Sequence, residues 1–192
     1  MRIIAGSKRG MKLLSPKSGS SRPVTDRVKE SLFDVLFKYN MPNDKIVADL
    51  FCGVGSLGLE ALSRGAVFVT FVEIDPKTVL ILNRNIDKAG FVKESKVIRA
   101  NAFKVGAPVG PEGQKYDLVF IDPPYAYTRD VDTGSQVDEL LIFIWKQLAP
   151  KGMTVVRTHR RTFLLERHGE LKVIDRRQWG STAVTILRAE GQ

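Results

Sequence analysis

The chain has 192 residues with a net charge of +9 at neutral pH, and 43% of the residues are hydrophobic. These values predict one globular, cytoplasmic domain with a sizeable core, and they exclude an intrinsically disordered chain. A single cysteine excludes a disulfide framework and a cysteine-rich zinc site, and the presence of only two histidines argues against a histidine-ligated metal site. No apolar run approaches the roughly 20 residues that span a bilayer.

The first 40 residues predict an N-terminal extension ahead of the main fold. Arg2–Gly6 and Met11–Leu14 are short apolar runs joined by a basic tip, a pattern that predicts a β-hairpin. Residues 15–23 are rich in Ser, Gly and Pro and predict a loop. An amphipathic helix is then predicted from apolar side chains at helical spacing, namely Val28, Leu32, Val35 and Leu36.

From residue 46 onward, apolar runs alternate with helical periods, which predicts an α/β fold with a mostly parallel, doubly wound sheet. Helices are predicted to end at Gly65, near Gly90 and near Leu148. The last two strands leave no room for a helix between them, so a C-terminal β-hairpin is expected to close one edge of the sheet. The seven predicted strands are Ile46–Phe51, Val67–Val72, Lys96–Arg99, Tyr116–Ile121, Met153–Val156, Leu171–Asp175 and Ala183–Leu187.

A glycine loop between the first strand and its helix predicts a nucleotide site. Gly53–Gly58 fits G-x-G-x-x-G, a pattern that also serves tight turns and close packing. Asp49 lies inside the strand end and Glu73 ends the next strand. In a dinucleotide enzyme such a loop cradles a pyrophosphate. The two acids instead suit S-adenosylmethionine: Asp49 would receive its ammonium group directly or through water, and Glu73 would receive its ribose hydroxyls. The alternatives are that Asp49 is a buried cap on the loop and that Glu73 is a solvated strand end.

Asn101 follows the third strand, where an amide could reach the adenine amino group or could simply cap the next turn. Cys52 is interpreted as a small apolar filler, because no partner base lies near it in the sequence.

The most specific signal is Asp122-Pro123-Pro124-Tyr125, directly after the fourth strand. Two prolines impose a rigid bend and remove backbone donors, so carbonyl groups remain to accept hydrogen bonds. A carboxylate and a carbonyl could each take one N–H of an exocyclic base amine, and Asp122 could then accept the proton. Tyr125 offers a stacking face for a base removed from its helix. The alternative is a proline-capped strand end with a packed tyrosine.

Taken together, these motifs resemble the bacterial 16S ribosomal RNA guanine-N2 methyltransferases. The glycine-loop segment Asp49–Ala66 and the corner Asp122–Tyr125 carry the resemblance, although many amino-methyltransferases share them. The discriminating parts are Arg2–Gly6, Arg22–Glu30 and the closing Trp179–Ala183. The resemblance covers nearly the whole chain and implies a Rossmann-like methyltransferase domain over 1–192, with a basic extension over 1–40 and a catalytic core over 41–192.

The resemblance also implies a reaction and a set of site residues. The reaction is methyl transfer from S-adenosylmethionine to the exocyclic N2 amine of a guanine in 16S rRNA, within an assembling small ribosomal subunit. The predicted catalytic residues are Asp122, Pro123, Pro124 and Tyr125. The predicted cofactor residues are Asp49, Phe51, Gly53, Gly55, Glu73, Ile74, Asn101 and Ala102. The predicted RNA contacts are Arg2, Lys8, Arg9, Lys12, Arg22 and Arg27.

Two positions depart from the family pattern. Asn101 stands where the family usually has Asp, and residues 157–159 (Arg-Thr-His) replace a stretch expected to carry an acid, so no role is assigned to them. Residues 106–114 are interpreted as a loop without an evident role.

The charge distribution supports an RNA partner. Residues 1–40 carry a net +6 and residues 151–192 a net +5, whereas residues 41–150 carry −2. Such basic flanks around a near-neutral core favour a polyanion partner. A DNA adenine-N6 methyltransferase is the nearest alternative, but the chain lacks room for a separate target-recognition domain. A protein-glutamine methyltransferase usually has Asn at the Asp122 position, and a non-catalytic ribosome assembly factor would not need both intact motifs.

Overall fold

The computed structural model describes residues 1–16, 24–108 and 110–190, in which an eight-stranded sheet is flanked by five α-helices. The strands are β1 (Ile46–Leu50), β2 (Phe68–Glu73), β3 (Ser95–Arg99), β4 (Tyr116–Ile121), β5 (Leu148–His159), β6 (Arg167–His168), β7 (Leu171–Trp179) and β8 (Thr182–Ala189). The helices are α1 (Asp26–Phe37), α2 (Ser56–Ser63), α3 (Pro76–Ala89), α4 (Ala102–Val105) and α5 (Gln136–Trp145). Among the residues described, no helix is long and apolar enough to cross a membrane.

The strand order is β3-β2-β1-β4-β5-β8-β7-β6. The five strands from β3 to β5 in this order run parallel, and β8, β7 and β6 join them by antiparallel pairing. The predicted C-terminal hairpin is the β7–β8 pair. One strand more than the predicted seven is present, because Arg167–His168 adds a two-residue edge strand that is too short to produce a hydrophobic pattern.

Two apolar layers enclose the sheet. The layer on one face includes α1, α2 and α3, with the Phe33 ring of α1 5.7 Å from the Phe120 ring of β4. The layer on the other face includes α5. Strands β1 and β4 lie between the two layers, so they are apolar at almost every position.

The predicted N-terminal hairpin is a turn closed by a single antiparallel bridge, Arg2 to Lys12, without extended strands. Backbone hydrogen bonds such as Ile3 N to Met11 O, at 2.9 Å, cross the turn. The next two donors go to helix α2 instead: Ile4 N and Ala5 N donate to the Glu60 carboxylate at 2.7 and 3.0 Å. Gly6 permits this contact, because a Cβ there would lie 1.7 Å from a backbone oxygen of α2. Residues 1–14 therefore form an N-terminal strap that lies across α2, the helix that follows the glycine loop.

Helix α5 ends at Trp145, three residues before the predicted Leu148. Leu148 is instead the first residue of β5, where it pairs with Tyr116 before a register shift in the ladder. Its apolar side chain matches the helical period but is buried by the sheet.

Candidate active site

The glycine loop and the Asp122 corner meet at one edge of the sheet, because β1 and β4 are parallel neighbours. Asp122 N donates to Leu50 O at 3.3 Å, so the two strand ends are tied directly together. Glu73 ends β2 on the other side of β1. The predicted cofactor and catalytic residues thus share the carboxyl edge of three adjacent strands.

The three glycines of the loop have different roles. Gly53 adopts a left-handed φ of 55°, and a Cβ on it would project into open space. A Cβ on Gly55 would lie 2.5 Å from the Leu82 side chain, and one on Gly58 would lie 2.3 Å from the Phe71 ring. Gly55 and Gly58 therefore allow close packing, whereas Gly53 leaves room for a ligand.

Asp49 lies beneath the loop and is 1% exposed. Its Oδ2 accepts a hydrogen bond from Gly58 N at 2.8 Å, which is the buried-cap contact that was one of the two alternatives. Burial raises the pKa of this carboxyl to about 8, and the neighbouring carboxylates Asp122 and Glu73 add to the rise. Contact between Asp49 and a ligand ammonium, directly or through water, stays a prediction.

Glu73 closes the loop from the neighbouring strand. Its Oε2 accepts from Gly53 N at 3.0 Å, and its Oε1 accepts from the backbone N–H groups of Ile74 and Asp75 at 2.8 and 2.9 Å. A carboxylate offers about four acceptor sites, so one remains for a further donor such as a ribose hydroxyl. Ile74 is 60% exposed beside it and presents an apolar surface. Glu73 is therefore tied to the loop backbone and is not a solvated strand end, and its contact with a ribose stays a prediction.

Asn101 caps helix α4, with Oδ1 accepting from Phe103 N at 3.0 Å. The capping alternative is therefore present, and contact with adenine by the rest of the amide stays a prediction. Ala102 begins α4 and is buried.

A row of aromatic rings lies over this end of the sheet. Phe51 packs against Phe103 with ring centroids 4.8 Å apart, and Phe103 packs against Tyr127 at 5.1 Å. Phe51 was predicted at the cofactor site, whereas Phe103 and Tyr127 were missed. Both lie two residues after a predicted site residue, and that proximity is the signal that could have identified them.

Asp122 forms an ion pair with Arg157 of β5, in which Nε donates to Oδ1 at 2.5 Å. Both side chains are largely buried, at 15% and 14% exposure. Burial raises the pKa of the Asp122 carboxyl, and the guanidinium opposes part of that rise.

Arg157 has no role assigned from the sequence, but the structure places it at the site beside Asp122. The residue lies 35 positions from Asp122 and meets it only because β4 and β5 are paired. Its one signal in the sequence was a cation where the family pattern predicts an acid, near the end of a strand.

The rest of the corner is rigid. Pro123 is buried, and the carbonyl of exposed Pro124 accepts from Tyr127 N at 2.9 Å. Tyr125 is half-buried, with Arg157 5.8 Å from its ring centroid and its hydroxyl 3.5 Å from Thr182 Oγ1. The Tyr125 ring therefore borders the Asp122–Arg157 pair.

The predicted RNA contacts occupy different environments. Arg9, Lys12 and Arg27 are exposed, and Lys8 lies over the Phe91 ring at 5.6 Å. Arg2 pairs with Asp26 at 2.8 Å, so its charge is partly compensated. Arg22 lies outside the described residues.

In the ranges 1–16, 24–108 and 110–190, no three His, Cys, Asp or Glu side chains are grouped so that they could hold a metal ion.

Known proteins similar to this chain match it along its length. The family model described as "Conserved hypothetical protein 95" matches residues 1–188. The Bacillus subtilis protein "Putative rRNA methyltransferase YlbH" is 32% identical over 191 residues, which is 100% of each chain. "Ribosomal RNA small subunit methyltransferase D" of Escherichia coli is 37% identical over 153 residues, or 75% of this chain and 73% of that protein.

The fold comparison agrees. The solved structure "Putative methyltransferase yhhF from Escherichia coli" superposes with a TM-score of 0.81 at 30% identity, covering 100% of this chain and 99% of that chain. The family resemblance found in the sequence is thereby confirmed: the chain has the Rossmann-like fold of methyltransferases and belongs to the family described as Conserved hypothetical protein 95.

Proposed function

We propose that this protein transfers a methyl group from S-adenosylmethionine to the exocyclic N2 amine of a guanine in 16S rRNA, with an assembling small ribosomal subunit as the substrate. The observation that carries the proposal is the Asp122 carboxylate, held by Arg157 at the same sheet edge as the glycine loop. The curated relatives, which are named as rRNA methyltransferases, support RNA as the acceptor.

The nucleoside end of S-adenosylmethionine suits the residues at this edge. Glu73 would hold the ribose hydroxyls, while Ile74, Asn101 and Ala102 would border the adenine. The open space above Gly53 would admit the methionine portion, and Asp49 would receive its ammonium group through water. When bound, this cofactor supplies a methyl group on positively charged sulfur.

The Asp122 corner prepares the acceptor. An exocyclic amine of a base is a poor nucleophile, because its lone pair is delocalised into the ring. The Asp122 carboxylate and the Pro123 carbonyl would each accept one N–H of the amine and so turn its lone pair toward the methyl group. Asp122 would then take the proton that the amine loses after methylation. The rigid Pro123-Pro124 bend maintains the geometry, and Tyr125 stacks on the base.

The carboxylate also favours guanine. The Watson–Crick edge of guanine offers two adjacent donors, N1–H and the N2 amine, and one carboxylate can accept from both. Adenine offers an amine beside the acceptor N1, which an ionised carboxylate repels. Arg157 strengthens this preference, because a neighbouring cation stabilises the ionised form of Asp122.

Mapping the product tests the proposal. Wild-type protein, S-adenosylmethionine and 16S rRNA, either naked or in partly assembled subunits, are expected to yield N2-methylguanine at one position. Mapping of methylated guanines in cells with and without the gene identifies that position. N6-methyladenine as the product would contradict the proposal, and so would the absence of S-adenosylmethionine binding in calorimetry, which is the result expected of a non-catalytic assembly factor.

A further inference from the structure

A cavity of about 440 Å³ lies beside the Asp122 corner, between the two ends of the chain. One wall is the start of α1, with Thr25, Arg27 and Val28. The opposite wall is the β7–β8 turn, residues 178–182, and Arg157 lies between the walls. Ligand sites in proteins have volumes of this order.

The cavity is continuous with the catalytic corner through two contacts. Arg157 lines the cavity and also forms the 2.5 Å ion pair with Asp122. Thr182 lines the cavity and lies 3.5 Å from the Tyr125 hydroxyl. A planar ring in the cavity would therefore contact Arg157 and Thr182, the two lining residues that touch Asp122 and Tyr125.

The chemistry of the lining matches a nucleotide. Trp179 contributes an aromatic ring for stacking, and Thr182 contributes a hydroxyl for the edge of a base. Gln178 adds an amide, whose Nε2 donates to Arg160 O at 3.4 Å. Arg27 is exposed at the rim, where its charge can meet a phosphate. An aromatic surface, amide and hydroxyl groups, and a rim cation together describe a site for an extruded nucleoside with its phosphate.

We propose that this cavity receives the target guanosine after it leaves the RNA stack, with Trp179 stacking on the base and Arg27 binding an adjacent phosphate. The assignment rests on the proposed function and adds the residues that select and hold the substrate nucleotide. It also gives the two basic chain ends a joint role, because each contributes one wall.

The first experiment uses Trp179 as its own reporter. The sequence has two tryptophans, and Trp145→Phe leaves Trp179 as the single emitter. This variant is titrated with an unmodified 16S rRNA fragment that contains the target guanine. Binding of the fragment is expected to quench the fluorescence of Trp179. The affinity for RNA obtained from the quenching curve is expected to fall at least about fivefold when that guanosine is replaced by inosine, which lacks only the exocyclic amine. Unchanged fluorescence at RNA concentrations that saturate methyl transfer would overturn the assignment.

The second experiment separates binding from turnover. Arg27→Ala and Trp179→Ala are expected to raise KM for RNA at least tenfold, with unchanged binding of S-adenosylmethionine in calorimetry. Trp179→Phe keeps an aromatic surface and should recover most of the affinity. Arg167→Ala removes another exposed arginine, which pairs with Glu190 at the far edge of the sheet on β6, and should leave KM unchanged.

The outcomes distinguish the two proposals. If wild-type protein methylates guanine N2 but the cavity variants retain wild-type KM, the cavity assignment fails and the proposed function stands. If wild-type protein transfers no methyl group to guanine, both fail.

Discussion

Two buried carboxyls at the site differ because only one has a cation beside it. Asp122 has the Arg157 guanidinium at 2.5 Å, which opposes the effect of burial on its pKa. Asp49 has a single backbone N–H donor, and burial raises its pKa to about 8. At neutral pH, Asp49 is therefore mostly protonated, while Asp122 has a partner that favours its ionised form. Asp122 therefore suits accepting a proton, whereas Asp49 closes the loop and would ionise more readily once a ligand ammonium lies near it.

We expect Asp122→Asn to lower turnover at least ~10²-fold, the low end for a positioned proton acceptor. The amide places an NH₂ donor against a guanine donor or, if it flips, has no basic oxygen for the proton. Single-turnover methyl transfer measures the loss, and calorimetry with S-adenosylmethionine should show nearly intact binding. Because burial raises the pKa of Asp122, wild-type turnover should fall on acidification at a pH above the usual range for aspartate. A mutant with wild-type turnover would contradict the assignment.

Glu73→Ala is expected to weaken binding of S-adenosylmethionine by about 1–3 kcal/mol, because it leaves ribose hydroxyls without an acceptor. It also removes the acceptor for Gly53 N and so loosens the loop. Glu139→Ala, an exposed acid on α5, is the matched control. Equal affinities of the two variants in calorimetric titration would remove Glu73 from the cofactor site.

Asp49→Asn should change how stability depends on pH. A folded-state pKa of about 8 means that the folded chain binds this proton more tightly than the unfolded chain between roughly pH 4 and 8. Asp49 therefore lowers the free energy of unfolding of the wild type as pH rises through that range, by up to about 1.4 kcal/mol per pH unit. The amide of the mutant still accepts from Gly58 N, but it does not titrate. The free energy of unfolding of the mutant, relative to that of the wild type, should therefore increase from pH 5 to pH 8.

Urea unfolding at several pH values measures this gain, with Asp87→Asn on the surface of α3 as the control. A constant difference between Asp49→Asn and wild type across the range would show that Asp49 is ionised throughout.

At the scale of elements, the N-terminal strap is joined to the glycine loop through a buried ion pair. Lys29 of α1 and Glu60 of α2 are both completely buried, with Nζ 3.3 Å from Oε2. Lys29 also donates to Arg2 O and to Ser56, the first residue of α2 after the loop. Desolvation lowers the pKa of Lys29, and Glu60 counteracts it. The strap, α1 and the loop helix are thus held as one unit.

Lys29→Met is expected to lower the free energy of unfolding by about 3 kcal/mol, the low end for breaking a buried ion pair, because Glu60 keeps Arg64 at 2.8 Å as its remaining cationic partner. Arg2→Ala breaks the exposed pair with Asp26 and should cost at most about 1 kcal/mol. Urea unfolding of both variants measures the difference. Similar losses would mean that the buried pair contributes no more than the exposed one.

Local patterns predicted the elements with strong signals. The apolar runs located the main strands, and Asp75-Pro76 located the start of α3, where Asp75 accepts from Thr78 N as the N-cap. Contacts between distant residues were not predictable, because they depend on which strands and helices become neighbours. Arg157 with Asp122 and Lys29 with Glu60 are of this kind, as are the hydrogen bonds from the N-terminal turn to Glu60 of α2.

At the scale of the whole molecule, the surplus positive charge is carried by residues 1–40 and 151–192, and each of these segments contributes one cation, Arg27 and Arg157, to the cavity lining. A polyanion that reaches Asp122 therefore meets cations from both ends. Such contacts release counterions from the nucleic acid, so the affinity depends on salt.

Neutralising Lys8, Arg9 and Lys12 together should weaken RNA binding and flatten its salt dependence, by roughly one unit of slope for each lost phosphate contact. The matched control neutralises Lys115, Lys146 and Lys151, which are exposed near the amino ends of β4 and β5. Binding to 16S rRNA is measured over a range of salt concentrations. Equal losses in both variants would indicate a general charge effect and no RNA surface on the strap.

The strand order has a consequence for the biogenesis of the protein. Strand β8 lies between β5 and β7, so β7 and β6 have no attachment to the sheet until β8 has been synthesised. The turn that carries Trp179 is completed at the same moment. A nascent chain stalled before residue 182 would display the unpaired edge of β5, including the backbone of Arg157, to solvent and to proteases. We expect such a chain to be cleaved readily after β5 and to gain resistance, together with its RNA site, only when the ribosome releases β8.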